Sequence, residues 1–79
     1  MSNLALKGAV VELKQQRAEL ALIISSKIKA IKDLLATSAI DKIEDINLAS
    51  VHILADDALT DQQEYFAVLS QLKKAEAEL

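Results

Sequence analysis

The chain is 79 residues long and has no cysteine, no proline and one glycine, Gly8. Disulfide staples and thiolate chemistry are therefore excluded, and the turn residues that a β fold demands are missing. The formal net charge is −3 with a single arginine, Arg17, far from the basic excess that phosphate binding usually shows.

A chain of this size makes one domain, 1–79, near the lower limit at which one core suffices. Ala, Leu, Lys, Glu and Gln dominate it, and these are the strongest helix formers, so the expected class is all-α. No apolar run approaches the ~20 residues of a membrane span. The first residues, Met1 to Lys7, lack the basic and long apolar regions of a signal peptide, so a cytoplasmic location is expected. Charge is unevenly divided. Residues 1–36 hold six basic and three acidic groups, and residues 37–79 hold three basic and nine acidic groups. Opposite halves of this kind suit an antiparallel helix pair.

The first predicted helix covers about 4–36, with Ser2 or Asn3 as candidate caps. Leu6, Val10, Leu13, Leu20, Ile24, Ile28, Ile31 and Leu35 form its main apolar stripe. Eleven-residue spacings such as Leu13-Ile24-Leu35 predict a nearly straight helix. A thinner apolar line, Leu4, Val11 and Leu22, lies on roughly the opposite side. One partner helix cannot cover both lines, which points to a second molecule. Arg17 and Lys27 interrupt the main stripe, with their stems packed and their charges reaching solvent, or as register markers.

Residues 37–46 read as a connector, because Thr37 and Ser38 are poor inside helices. One helical turn is expected at 41–45. Asp41 with Glu44 resembles a capping box, but matched helix lengths favour a later cap at Asp45 or Asn47. Ile40, Ile43 and Ile46 are expected to close that end of the hairpin.

The second predicted helix covers about 47–78. Its stripe is Leu48, Val51, Leu54, Ala55, Ala58, Leu59, Tyr65, Phe66, Leu69 and Leu72, with Gln62 and Glu76 as polar interruptions. Ile53 and Val68 fall outside that stripe as surplus apolar surface. Folding about residues 41–42 makes facing positions add to roughly 83. That sum would set Arg17 near Phe66 and Glu64, Lys27 near Asp56 and Asp57, and Lys7 opposite Glu76.

No constellation of catalytic residues emerges. Asp57, Asp61 and Glu64 follow i, i+4, i+7 spacing and read as a solvated acidic face or a docking stripe for a basic partner. A rigid helical face lacks the loop carbonyls of a calcium site. His52 is the lone histidine, and Ala49 stands where a Glu-x-x-His metal motif needs a carboxylate. No phosphate loop and no nucleophile with its base is present, so the chain reads as a non-enzyme.

Ile43-Glu44-Asp45-Ile46, a following helix with Glu64-Tyr65, and the ending Glu76-Ala77-Glu78-Leu79 form a recognisable series. In these segments the C-terminal half resembles small helical-hairpin proteins of unknown function encoded in Mu-like prophages. The resemblance implies a hairpin and no activity.

The residues thus predict a long antiparallel two-helix hairpin that assembles into a four-helix bundle. The expected role is a non-catalytic structural or protein-interaction module, a homodimer or higher homo-oligomer, with no cofactor and no membrane. Leu4, Val11, Leu22, Ile53, Val68, Asp57, Asp61 and Glu64 are the candidate interaction surface. Arg17, Lys27, Gln62 and Glu76 are the candidate seam polar residues. A nucleic-acid-associated adaptor using Lys7, Lys14, Lys29 and Lys32 is the alternative, with a metal- or small-ligand-binding bundle around His52 ranked below it.

Overall fold

Two long helices, joined through a short 3₁₀ turn at Ile43–Asp45, make up the computed structural model. Helix α1 runs Asn3–Ala36 and helix α2 runs Leu48–Ala77. The structure describes residues 3–36 and 43–79. Ser2, Thr37, Ser38, Ile40 and Asp41, which carried sequence expectations, lie outside the described residues. The helices pack against each other as a hairpin with principal extents of 64 × 14 × 14 Å, and the described residues contain no strand.

Asn47 starts α2, as the later of the two predicted caps. Its side chain accepts a hydrogen bond from the Ser50 backbone N–H at 3.0 Å, satisfying one of the donors left over in a first helical turn. Ahead of it, the Ile46 N–H donates to the Ile43 carbonyl and the Leu48 N–H to the Ile46 carbonyl, each at 3.1 Å. At the far end, the Glu78 N–H donates to the Ala75 carbonyl and Lys74 sits in the last turn, where a cation suits the helix dipole.

One series of inward side chains on each helix alternates steps of three and four, flanked by the half-buried Ala9, Ala21, Ala30, Ser50 and Leu69. In α1 the series is Leu6, Val10, Leu13, Arg17, Leu20, Ile24, Lys27, Ile31 and Leu34, all buried or half-buried. In α2 it is Val51, Leu54, Ala58, Asp61, Tyr65, Val68, Leu72 and Ala75. This is the seven-residue repeat of a coiled-coil seam, not the eleven-residue repeat that predicts a straight helix. Two expected stripe members of α1, Ile28 and Leu35, are 44% and 45% exposed, whereas Lys27, an expected polar interruption of that stripe, is half-buried, as is Leu34. In α2, Val68 is 6% exposed and belongs to the core, whereas Leu48, Leu59 and Phe66 are half or more exposed.

The register also differs from expectation. Lys27 pairs with Asp61, so facing positions add to about 88 rather than 83. The slip exceeds one helical turn, although both helix boundaries at the bend lie within one position of those expected. Arg17 therefore lies level with Leu72 instead of Phe66 and Glu64. Lys27 meets Asp61 instead of Asp56 or Asp57. Ile46 is half-buried at the bend, but Ile43 is 72% exposed and does not close that end.

Candidate interaction surface

The deeply buried core is small: Val10, Leu20, Val68 and Leu72 are the side chains below a tenth exposure among the described residues. Nearer the bend than all four sits the Lys27–Asp61 ion pair, with side chains 26% and 19% exposed. Both groups are seam residues, so the hydrogen bond from Lys27 Nζ to Asp61 Oδ2 joins the two helices across 34 positions of chain. Asp61 is thus the polar seam partner of Lys27. Gln62 and Glu76, the expected interruptions, are exposed beside the seam. Arg17 is half-buried in the seam and, among the described residues, forms no ion pair.

Because the helices are antiparallel, the positions just after one set of seam residues line one side of the rod, and those just before another set line the other. The two sides differ in chemistry. One holds a trough of about 310 Å³ lined by Ile24, Ile28, Ile31, Ala55, Ala58, Leu59 and Gln62. Steps of seven residues, two helical turns, carry this apolar side along the rod: Ile28 to Leu35, Ala55 back to Leu48, and Leu59 on to Phe66. The opposite side holds a trough of about 280 Å³ lined by Gln16, Glu19, Leu20, Ile23, Asp61 and Glu64. Seven-residue steps from Glu19 to Glu12 and from Glu64 to Asp57 make that side acidic.

Leu4, Val11, Leu22 and Ile53 are 82%, 64%, 70% and 60% exposed, as expected of surface candidates. Asp57 and Glu64 are exposed too. Val68 and Asp61 are not part of that surface: one fills the core, and the other is turned inward by Lys27. The three carboxylates Asp57, Asp61 and Glu64 therefore do not act as one outer stripe. Conversely, Ile28, Leu35, Leu48, Leu59 and Phe66 are surface residues that hydropathy had assigned to the hairpin's own core. The signal that separates them is their seven-residue spacing at positions flanking the seam.

Tyr65 and Phe66 make an edge-to-face pair with ring centroids 6.4 Å apart, Tyr65 half in the seam and Phe66 56% exposed on the apolar side. His52 is exposed. Among the described residues no group of three His, Asp or Glu side chains could hold a metal ion, and no buried side-chain nitrogen or oxygen lacks a partner. Of the candidate phosphate-binding lysines, Lys29 is taken up by Asp33 one turn on, at 3.1 Å. None of the helices, among the described residues, is long and apolar enough to cross a membrane.

The fold and these two sides define the chain as an α-helical hairpin with one apolar and one acidic side. No protein-family model, no curated protein and no solved structure matches it.

Proposed function

We propose that the protein is a non-catalytic interaction module that works by self-association through helical packing. The observation that supports this reading is the imbalance of its apolar side chains. Twelve large ones among the described residues are 44% exposed or more, against four that are buried. Scattered single exposures need no explanation, but a continuous apolar band does. The band joins Leu35 and Leu48 near the bend to Leu59 and Phe66 further along. Docking a second hairpin there would complete a four-helix bundle with Leu59 and Phe66 in its new core.

Sedimentation equilibrium or light scattering at about 1–100 µM tests the reading. The expected result is a discrete oligomer that dissociates on dilution with loss of helicity. A chain that stays helical and monomeric throughout that range overturns it.

A further inference from the structure

We propose that the partner on the apolar side is a second copy of this chain, lying antiparallel with its bend at the opposite end, each copy's Phe66 seated in the other's Leu59 trough. This rests on the self-association reading above and adds to it the side, the orientation and the anchoring residue.

The occupant follows first from area. The hairpin exposes 6081 Å². A compact chain of 8.6 kDa would expose about 4,700 Å², and a compact dimer about 7,800 Å². Two separate hairpins brought to the dimer value would bury about 4,400 Å² together, inside the roughly 2,000–5,000 Å² range of obligate homodimers. A short peptide or a small ligand in one trough would leave most of that excess in water.

Charge chooses the side. The acidic trough, with Glu19 and Glu64 on its rim, would set carboxylate against carboxylate if two copies met there. The opposite trough is apolar apart from Gln62.

Charge also chooses the orientation. Lys7, Lys14 and Lys73 lie towards the open end of the rod, and Glu44, Asp45 and Asp56 lie towards the bend. Over all the charged side chains described there, the open end (3–19 and 69–79) holds five basic and four acidic groups, and the bend end (24–36 and 43–61) three basic and six acidic. Bends at the same end would align like charges, whereas bends at opposite ends set each basic end beside an acidic one.

Shape then supplies the contact. Phe66 is 56% exposed and lies seven residues, about 10 Å along the helix, from Leu59. That distance keeps the ring out of its own copy's trough. A two-fold axis midway between the two positions carries each ring to the partner's trough, and an isologous interface then makes the contact twice. Aromatic side chains in the centre of an interface are the usual energetic anchors.

The chain has no cysteine, so one introduced thiol can carry a unique spin label. With Ala36→Cys labelled at the end of α1, the antiparallel dimer predicts an interprotomer separation of about 30–40 Å; bends at the same end predict less than about 20 Å. In parallel, Phe66→Ala should raise the dimer Kd at least tenfold while helicity at high concentration is retained. Ile53→Ala, on the outer side of α2, should change it less than twofold. A short label distance, or Phe66→Ala with an unchanged Kd, overturns this inference and leaves self-association standing. A wild-type chain that is monomeric at 100 µM overturns both.

Discussion

Lys27 and Asp61 show what a single pair of residues does in a two-helix protein. Each is too enclosed to be well hydrated alone, and each is satisfied by the other. Asp61→Ala would leave a half-buried ammonium without its acceptor and is expected to cost about 1–2 kcal/mol, read from urea unfolding. The double change Lys27→Leu, Asp61→Leu should instead be neutral or stabilising, because an apolar pair of similar volume has no desolvation penalty. The same double variant loses the ion pair that, among the described residues, ties one turn of α1 to one turn of α2, so alternative registers should appear as extra resonances in its amide NMR spectrum. Leu72, 2% exposed and level with Arg17, is the counterpart on the apolar side of the account. Leu72→Ala should cost about 2–5 kcal/mol, enough to unfold a domain of this size.

At the scale of the element, both helices were legible from their residues, to within one position at every boundary described. An unbroken run of strong helix formers and an Asn cap before Leu48 are local signals, and local signals survive without tertiary context. What composition could not separate was the seam from its flank. Ile28 and Leu35 are as hydrophobic as Ile24 and Ile31, so counting apolar residues merged two surfaces into one stripe and produced a false eleven-residue period. Lys27 was legible as a polar member of the seam, but Asp61, also in the seam, was read as part of an outer acidic face. The register was not legible either: two helices with the same ends can pair one turn apart, and the Lys27–Asp61 contact that marks the pairing joins residues 34 positions apart. Two substitutions test the local reading. Gly8 sits in α1 with nothing within 4 Å of an added Cβ, so Gly8→Ala should stabilise by about 0.5–1 kcal/mol in thermal melts. Asn47→Ala should cost about 1 kcal/mol, and Ile46→Ser should destabilise far more than Ile43→Ser, since Ile46 is half-buried and Ile43 is open to water.

Taken whole, the hairpin has charge and hydrophobicity sorted onto different sides and different ends. Such a molecule is under-buried by itself, and its stability should depend on how much of it is present. Raising the concentration a hundredfold adds about 2.7 kcal/mol to a dimer, which corresponds to a rise in Tm of about 5–10 °C for two chains of this length. A concentration-independent Tm would mean that the helices hold each other without help.

The 64 × 14 × 14 Å shape has one more consequence, for hydrogen exchange. In a rod only two helices thick, no backbone amide is sheltered by more than its own helix and one neighbour. A global core, whose amides exchange only on complete unfolding, has nowhere to form. Protection in dilute solution should therefore fall smoothly from the layers of Leu20 and Val68 towards both tips, as in a zipper that frays from its ends. Assembly would add a second pair of helices against one side alone. The amides of Leu59 and Phe66 should then slow the most, those of Glu19 and Glu64 hardly at all, and the pattern of deuterium uptake would draw the covered side residue by residue.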